Sequence, residues 1–370
     1  MCGISGFCSL ERNYLSCREE HMHALIAMRK SIAHRGHDQT GEALYSHAGL
    51  SHTRLSIRDL SLGRQPMVKR DQGAEFAIVY NGEIYNTDEL RAELEALGRR
   101  FETTCDTEVI LEGYICWGDA VCARLNGIFA FAIWDERRRR LLLCRDRSGV
   151  KPLLYTFQKG ELIFGSEIKA LFAHPSVKPE IDLGALREVL GVGPARTDGC
   201  GVFRGVREVR MGCKAVLDEA GLREEPYFSL VSAPHEDDYE TTVEHVAFLL
   251  RDAVRRQMVS DVPVCSFLSG GLDSSLVTAL ACRALEGTGA QLNTFSFDFT
   301  GNDASFAANA FQPERDRPYV DALLPCLPVR HSYLECREDE LPGLLTESML
   351  PKTCPAWPMC TPRFCTSAAW

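Results

Sequence analysis

The sequence predicts an α+β region followed by an α/β region with a parallel sheet. Across residues 1–185, short β-rich runs bounded by Gly, Asn and Asp accompany two helical patterns. Beyond residue 260 the order is an apolar run, a Gly-rich turn, a helix and a second apolar run. That order is typical of a βαβ unit, which places its strands in a parallel sheet.

In the first region the apolar runs predicted as strands are Phe76–Tyr80, Ile128–Trp134 and Leu141–Cys144. Helices are predicted over 18–33 and 87–98, where apolar residues recur every three to four positions. The basic run Arg137–Arg140 follows two acidic residues and precedes a strand, so we interpret it as a solvated hairpin turn.

In the second region Val262–Leu268 is apolar except for Ser266 and is predicted to be a strand buried on both faces. A helix over 274–285 and a strand over 293–299 complete the βαβ unit. At 370 residues the chain has room for two domains. The boundaries that we expect are a first domain over 1–190, a connecting segment over 191–240, a second domain over 241–350 and a separate tail over 351–370.

Composition excludes several classes of protein. The net charge of −10 argues against a nucleic-acid-binding protein, which needs a basic surface. The sequence contains no apolar run of the ~20 residues needed to cross a bilayer and no N-terminal signal-peptide pattern. The 16 cysteines are mostly isolated in apolar segments and include no CxxC pair, which predicts a reduced, cytoplasmic protein.

Cys2 is the first candidate for chemistry. Removal of Met1 is favoured before a small residue and would leave Cys2 with both a thiol and a free α-amino group. Such an amine titrates near ~8 and can act as the base for its own side chain. One residue can therefore supply both the nucleophile and the proton acceptor. The small residues Gly3, Ser5 and Gly6 leave room for a substrate beside it.

A series of further segments carries a resemblance. In chain order they are MCGISGF at 1–7, HRG at 34–36, RLSIRDL at 54–60, GRQPM at 63–67, YNGEIYN at 80–86, CDTEVIL at 105–111, LNGIFAFAIWD at 125–135, RDRSGVKPLLY at 145–155 and FGSEIKAL at 164–171. Together they resemble class II glutamine amidotransferases, and more narrowly the glutaminase domain of glutamine-dependent asparagine synthetases. The resemblance implies a four-layer αββα sandwich of the Ntn-hydrolase type.

The resemblance also implies a set of site residues around Cys2. The asparagine side chain and the next glycine amide that stabilise the oxyanion correspond to Asn81 and Gly82. Arg54 corresponds to the cation for the glutamine α-carboxylate. Glu83 and Asp106 correspond to the carboxylates for its α-ammonium group. The segment that completes the pocket consists of Leu55, Ser56, Ile57 and Arg58.

Simpler interpretations of these residues remain open. Asn81-Gly82 is also a strong hairpin-turn dipeptide. Arg54 and Asp106 could form a surface pair, and Leu55 and Ile57 could belong to the core. The chain departs from the family at Cys105, where Ser or Thr is usual, and at His37, where Pro is usual; we expect these changes to affect turn geometry or glutamine affinity rather than chemistry.

The segment SGGLDSS at 269–275 is the second candidate site. It lacks the Walker A pattern and resembles the PP-loop of ATP pyrophosphatases, in which backbone N–H groups and a helix N-terminus hold phosphate oxygens. A Gly/Ser-rich βα turn with capping serines is the simpler alternative. The nucleotide-binding residues that the resemblance implies are Leu268, Ser269, Gly270, Gly271, Asp273, Ser274, Ser275 and Phe297, with Asp273 also assisting Mg²⁺.

A glutaminase followed by a PP-loop is the arrangement of asparagine synthetases. The resemblance therefore implies hydrolysis of glutamine at Cys2 and amidation of an aspartate adenylated with ATP and Mg²⁺. The alternatives are a PP-loop amidotransferase for another carboxylic acid and a non-catalytic fragment. The expected partners are small molecules, with no membrane and no nucleic acid, and a homodimer is a possible assembly.

The tail after Leu350 packs three Cys, four Pro and two Trp into twenty residues without periodicity. Because family members extend further and carry a second phosphate-binding segment, we expect the synthetase half to be incomplete here. A shift of reading frame would explain the tail.

Overall fold

The computed structural model describes residues 1–192, 196–310 and 313–344. They divide into a first compact unit, Met1–Val231, and a second unit that begins at Ser232. The predicted tail over 351–370 and the end of the predicted second domain lie outside the described residues.

The strands are β1 (Gly3–Cys8), β2 (Gln39–Leu44), β3 (Ala48–Arg54), β4 (Met67–Asp71), β5 (Ala74–Ile84), β6 (Gly127–Asp135), β7 (Arg140–Arg145), β8 (Leu154–Gln158), β9 (Glu161–Gly165), β10 (Val206–Glu208), β11 (Cys213–Asp218), β12 (Gly221–Pro226), β13 (Cys265–Phe267), β14 (Leu292–Phe299) and β15 (Val329–Cys336). The α-helices are α1 (Arg18–Ser31), α2 (Thr87–Ala96), α3 (Asp106–Trp117), α4 (Val121–Arg124), α5 (Ile168–Phe172), α6 (Leu183–Arg187), α7 (Tyr239–Gln257), α8 (Leu272–Ala284), α9 (Asn302–Ser305) and α10 (Arg317–Leu323).

The first unit contains two antiparallel sheets of six strands each. One has the order β10-β8-β9-β1-β3-β2, and the other has the order β12-β11-β7-β6-β5-β4. In the first sheet β1 lies between β9 and β3, so the strand that follows Cys2 is internal. In the second sheet β5 lies between β4 and β6.

Three apolar cores define the layers of this unit. The core between the sheets includes Ile4, Leu50, Val79, Trp134 and Leu143. The core between the first sheet and helices α1 and α5 includes Phe7, Leu25, Met28, Ile163 and Leu171. The core between the second sheet and helices α2 and α3 includes Ile78, Leu90, Leu94, Val109 and Phe131. The order helix, sheet, sheet, helix confirms the predicted αββα sandwich.

The predicted elements of the first region are confirmed. Helices α1 and α2 lie within the predicted ranges, and β5, β6 and β7 contain the three predicted strands. Residues 136–139 form the turn between β6 and β7, whereas Arg140, predicted to belong to that turn, begins β7 and pairs with Asp119. Helix α3 was not predicted from the sequence. Its residues 106–114 are all buried, so it lacks the polar stripe that gives a surface helix its periodicity.

The boundary expected at residue 190 needs correction. Within the segment predicted as a connection, β10 pairs with β8, and β11 pairs with both β7 and β12. These strands extend both sheets of the first unit, which therefore runs to Val231. The polar, Gly-rich composition that suggested a linker instead reflects the edge strands β10 and β12 and the turns that flank the internal strand β11.

The second unit confirms the predicted parallel sheet, in which β14 pairs in parallel with β13 and β15. Helix α8 and strand β14 match the predicted elements. The prediction of a strand over Val262–Leu268 buried on both faces is wrong, because β13 spans only Cys265–Phe267 and its two end residues are exposed. Among the described residues, no helix is both long and apolar enough to span a membrane.

Candidate active site

A cavity in the first unit brings together most of the residues expected around Cys2. It lies where the start of β1, the segment after β3 and the end of β5 meet the N-terminus of α3. The residues that line it are Cys2, Arg54, Leu55, Ile57, Arg58, Gly63, Gln65, Tyr80, Gly82, Glu83, Cys105, Asp106 and Thr107.

Cys2 is fixed by contacts at both its side chain and its backbone. The Leu55 N–H donates to Sγ, and Sγ lies at the same distance, 3.4 Å, from the Leu55 carbonyl oxygen. Arg35 donates from Nε to the Cys2 carbonyl oxygen over 2.9 Å and from Nη1 to Glu167 over 2.7 Å. The first residues of a chain are usually mobile unless contacts hold them. The contacts of Leu55 and Arg35 therefore fix the position of the Cys2 thiol.

The environment of Cys2 favours the neutral thiol. Burial raises the pKa of the Cys2 thiol, and the hydrogen bond from Leu55 and the nearby positive charges offset only part of that effect. Because the thiolate is the nucleophilic form, attack needs a base close to the sulfur. Lys151, 8% exposed, places Nζ 3.1 Å from Met1 Sδ, so its positive charge lies beside the start of the chain.

The pairing of β5 directs the Gly82 N–H away from β6. Gly82 lies opposite Phe129, whose N–H and C=O bond to Asp146 rather than to β5. Gly82 and Phe129 are thus a non-hydrogen-bonded pair, and the polar groups of Gly82 point to the other edge of β5. Pairing with β4 ends at Ile78, so this N–H is directed toward the cavity. A Cβ at Gly82 would lie 2.3 Å from the Ile128 carbonyl oxygen, which explains the glycine.

Asn81, the other predicted donor, precedes Gly82 in β5 but is not among the residues that line the cavity. Its side chain is on the same side of β5 as those of Ala77 and Val79, which belong to the core between the sheets. The residue is 2% exposed, and its Nδ2 has no hydrogen-bond partner. A buried amide donor without a partner is costly, and a ligand oxygen would satisfy it. Because both residues lie within β5, the hairpin interpretation of Asn81-Gly82 is wrong.

Arg54 is 4% exposed and lines the cavity with its guanidinium held by the chain around it. Nη1 donates to Gln39 Oε1 over 2.9 Å and to the Leu60 carbonyl oxygen over 3.4 Å. Nη2 donates to the Arg58 and Asp59 carbonyl oxygens over 2.9 and 2.6 Å. Arg54 therefore fixes the segment after β3 and adds positive charge to the cavity wall.

Asp106 begins helix α3 and is buried, which excludes a surface pair with Arg54. Its Oδ2 accepts hydrogen bonds from the Tyr80 hydroxyl over 2.7 Å and the Ile84 N–H over 3.1 Å. Burial raises the pKa of the Asp106 carboxyl, opposed by these hydrogen bonds and by the charge of Arg58. A bound ammonium group would offset the cost of ionising it.

The other predicted residues fall into two groups. Leu55, Ile57, Arg58 and Glu83 line the cavity, so the core interpretation of Leu55 and Ile57 is not supported. Ser56 lies outside the lining, and its N–H donates to Asp38 over 2.6 Å.

The two departures from the family pattern also lie in different places. Cys105 lines the cavity, and its Sγ is 2.9 Å from the Thr103 hydroxyl oxygen. It therefore lies at the proposed glutamine pocket. His37 is exposed beside Asp38.

Several residues at this site were missed by the sequence analysis. Arg35 holds the Cys2 carbonyl, and Gln65 accepts a hydrogen bond from the Tyr80 N–H over 2.6 Å. Both stand inside the segments HRG and GRQPM, which contributed to the resemblance without a role for each residue. The signal was present, but only the pairing of distant segments shows what these side chains contact.

In the second unit the SGGLDSS segment joins β13 to α8. Gly270 has φ +80°, a conformation that favours glycine, and a Cβ there would lie 2.7 Å from the Tyr319 side chain. The Ser269 N–H donates to Ser274 Oγ over 3.2 Å, and the two hydroxyl oxygens are 3.0 Å apart. Leu268 is buried, and its N–H donates to the Phe295 carbonyl oxygen over 2.9 Å.

The loop has the features expected of a phosphate site. Gly271 precedes the first residue of α8, whose first turn contains Asp273, Ser274 and Ser275. The amides at the N-terminus of a 13-residue helix favour an anion. Phe297 lies on β14, with its ring 5.1 Å from that of Phe299. Within the described ranges, no group of three or more His, Cys, Asp or Glu residues could hold a metal ion, so Asp273 lacks companion ligands.

Each of the two units is matched by a model of a known protein family. A family model described as a glutamine amidotransferase domain matches residues 1–228, and one described as asparagine synthase matches residues 245–362. The first match covers more than half of the chain and defines its class as a glutamine amidotransferase.

Comparison with individual proteins identifies a narrower group within the glutamine amidotransferases. The chain is 42% identical over 356 residues to asparagine synthetase [glutamine-hydrolyzing] 3 of Bacillus subtilis, covering 96% of this chain and 57% of that protein. It is 35% identical over 286 residues to asparagine synthetase [glutamine-hydrolyzing] 1 of the same organism, covering 76% and 44%. It is 33% identical over 366 residues to putative asparagine synthetase [glutamine-hydrolyzing] 2 of Methanocaldococcus jannaschii, covering 93% and 67%.

The chain belongs to the family of glutamine-hydrolysing asparagine synthetases. It spans about half the length of the first relatives it matches.

Proposed function

We propose that the first unit hydrolyses glutamine to glutamate and ammonia, with Cys2 as the nucleophile. The observation that carries the proposal is the unpartnered Asn81 Nδ2 together with the Gly82 N–H beside the cavity that contains Cys2. Two donors at this place suit an oxyanion that forms when a thiol adds to an amide carbonyl.

The proposed steps use groups of this chain. After loss of Met1 the α-amine of Cys2 accepts the thiol proton, and sulfur attacks the amide carbon. The carbonyl electrons move to oxygen, which Asn81 and Gly82 stabilise. The oxyanion then collapses to a thioester as the C–N bond breaks, and ammonia leaves with the proton that the amine returns. Water, deprotonated by the same amine, hydrolyses the thioester and regenerates Cys2.

The other cavity residues provide recognition of the amino-acid end. Arg54 is assigned to the α-carboxylate, and Arg58 adds a second positive charge to the same wall. Glu83 and Asp106 are assigned to the α-ammonium group. Leu55 and Ile57 contact the aliphatic chain, and Ser56 supports the segment that carries them.

The second unit is proposed to bind ATP, with Mg²⁺, at the SGGLDSS loop and to activate aspartate as an adenylate, which the ammonia then amidates. Support comes from the asparagine synthase match and from Gly270, Ser274 and the N-terminus of α8. Asp273 would assist Mg²⁺ together with phosphate oxygens and water. Leu268 and Phe297 would flank the adenosine. A cytoplasmic location and a homodimer complete the proposal, and light scattering would test the latter.

The decisive experiment measures glutamate released from glutamine by purified protein with a verified mature N-terminus. We expect Cys2→Ala to lower the rate by at least about 10³-fold, because a missing nucleophile cannot be replaced. Cys17→Ala, which changes an exposed free cysteine, is the matched control and should retain the wild-type rate. Undiminished hydrolysis by Cys2→Ala, or retained Met1 in an active protein, would contradict the proposal.

The same preparation tests the second unit. Glutamine, aspartate, Mg²⁺ and ATP are supplied, and asparagine and AMP are measured. Asparagine formation would support the complete reaction. Glutamate formation without asparagine or AMP would restrict the activity of this polypeptide to glutamine hydrolysis.

A further inference from the structure

His52 lies on β3 with its imidazole in the layer between the two sheets. Ala48 and Leu50, at the preceding even positions of this strand, belong to the core between the sheets, so strand alternation directs His52 to the same side. The residue is 1% exposed. Its Nε2 lies 3.0 Å from the carbonyl oxygen of Tyr80 on β5. The proposed mechanism uses neither this contact nor this residue.

The contact determines the tautomer of His52. A carbonyl oxygen can only accept a hydrogen bond, so Nε2 carries the proton and Nδ1 carries the lone pair. Nδ1 is buried without a partner. Burial lowers the pKa of His52 to about 3, against the opposing effect of the bond to Tyr80 and with a small contribution from Arg54. The imidazole is therefore a neutral, uncharged donor at the pH of the cell.

Tyr80 lies where β5 loses its neighbour on one edge. Pairing with β4 ends at Ile78, and the Tyr80 N–H and C=O point to the edge that β4 has left. Side chains occupy both groups: Gln65 Oε1 accepts from the N–H over 2.6 Å, and His52 donates to the C=O. The peptide group that His52 holds is the one that joins Tyr80 to Asn81.

We propose that His52 is a positioning residue that fixes β5 at the entrance to the oxyanion hole. The Gly82 N–H leaves β5 at the same edge as the Tyr80 carbonyl, and the Asn81 side chain follows directly from the anchored peptide. Loss of the anchor frees this stretch of backbone to shift, which displaces both donors from the oxyanion. The inference rests on the proposed glutaminase function and deepens it.

Three variants separate positioning from simple structural support. His52→Gln places an amide N–H near the position of Nε2, whereas the shorter amide of His52→Asn does not reach Tyr80 and His52→Leu has no donor. We expect His52→Leu and His52→Asn to lower kcat by about 10–100-fold with KM changed less than about twofold, because the donors act mainly in the transition state. His52→Gln should restore most of kcat.

An aldehyde analogue of glutamine provides an independent readout. The Cys2 thiol gives its proton to the α-amine as sulfur adds to the aldehyde carbon, and the electrons of the C=O bond move to an oxygen that occupies the oxyanion hole. The affinity of the enzyme for this aldehyde should change in parallel with kcat across the three variants. The control is Ser51→Ala on the same strand, whose hydroxyl bonds to Ser5 on the opposite side over 2.7 Å. It removes a buried hydrogen bond and should leave kcat and aldehyde affinity near wild type.

The outcomes distinguish failure of the positioning role of His52 from failure of the proposed function. Unchanged kcat and aldehyde affinity in a folded His52→Asn or His52→Leu protein would overturn the inference. A raised KM with unchanged kcat would also overturn it, because that result indicates substrate binding. Failure of His52→Gln to exceed His52→Asn would refute the role of the Nε2 donor. Glutamine hydrolysis that is absent, or that does not depend on Cys2, would instead overturn the proposed function. The Cys2→Ala experiment detects that outcome separately.

Discussion

The two units differ in how their apolar side chains are covered. In the first unit residues 129–135 of β6 and residues 141–145 of β7 are all buried. In the second unit helix α7 has no buried residue, and Phe248 on it is 61% exposed. Leu276 and Val277 on α8 are also exposed. One unit therefore has layered cores, and the described part of the other has mainly a small cluster between helices α7 and α8 and the sheet.

The difference in packing extends to the two candidate sites. Beside Cys2 the N–H and C=O of Tyr80 are held by the buried side chains of Gln65 and His52, so the backbone that carries the donors is in place before substrate arrives. In the SGGLDSS loop the hydroxyls of Ser269 and Ser274 bond to each other and lie at an exposed surface. A phosphate ligand would exchange these local hydrogen bonds for its own. The comparison indicates a preorganised site in the first unit and a ligand-organised site in the second.

The test of this contrast with the largest expected effect compares two glycine substitutions. Gly82→Ala places a Cβ 2.3 Å from the Ile128 carbonyl oxygen, so β5 and β6 must separate. We expect glutamine hydrolysis to fall by about 10²–10³-fold, the effect of losing an oxyanion donor. Gly343→Ala in the second unit meets no atom within 4 Å and should leave the rate unchanged. A Gly82→Ala enzyme with wild-type kcat would show that the first site is not rigidly packed.

A second test compares two leucines by denaturant unfolding. Leu143→Ala opens a cavity between the sheets, where Leu143 is fully buried, and should cost about 2–5 kcal/mol of unfolding free energy. Leu276→Ala removes a side chain that is 44% exposed and should cost less than about 1 kcal/mol. Because the units can unfold separately, the transition of each is monitored. Equal losses would contradict the contrast in packing.

The smallest test concerns the ion pair behind Cys2. Burial opposes ionisation of Glu167, but hydrogen bonds from His34 and Arg35 outweigh it and lower the pKa to about 2. This stabilisation is fully present above the unfolded value of about 4.3 and is lost as pH falls through about 2. Glu167→Gln should therefore be less stable than wild type by about 1–3 kcal/mol at pH 6, and the difference should shrink at pH 3.

The control for that measurement is Glu180→Gln. Glu180 forms an exposed ion pair with Arg204, and such pairs contribute little. Its unfolding free energy should stay within about 1 kcal/mol of wild type at both pH values. A difference for Glu167→Gln that does not change with pH would contradict the assigned ionisation.

Three strands and two helices of the first unit were predicted because apolar runs bounded by turn residues, and apolar residues at helical spacing, are visible in the sequence. The order of the layers came from the family resemblance. Helix α3 was missed because burial on all sides removes that helical spacing. Strands β10 to β12 were missed because β10 and β12 are short polar strands at sheet edges, and the turns around the internal strand β11 made the segment resemble a linker. In the second unit an apolar run interrupted only by Ser266 predicted a long strand, whereas only Cys265–Phe267 pairs.

In the candidate site, too, only residues that stand in recognisable sequence motifs were predicted. Cys2, Asn81, Gly82 and Asp106 were available from motifs, and the structure places them at or around one cavity. His52 and Gln65 could not be assigned in this way. Their importance lies in a carbonyl and an N–H of Tyr80, which become unpaired only after β4 and β5 have formed their register.

The internal position of β1 has a consequence for biosynthesis. Strand β1 pairs with β3 and with β9, and β9 lies about 160 residues later in the chain. Contacts of such long sequence separation form late, because the intervening chain must first be closed into a loop. The proposed nucleophile Cys2, next to β1, is therefore synthesised well before the strand β9 that holds β1 in its sheet. Release of ammonia would then be restricted to chains whose glutaminase unit has been completed.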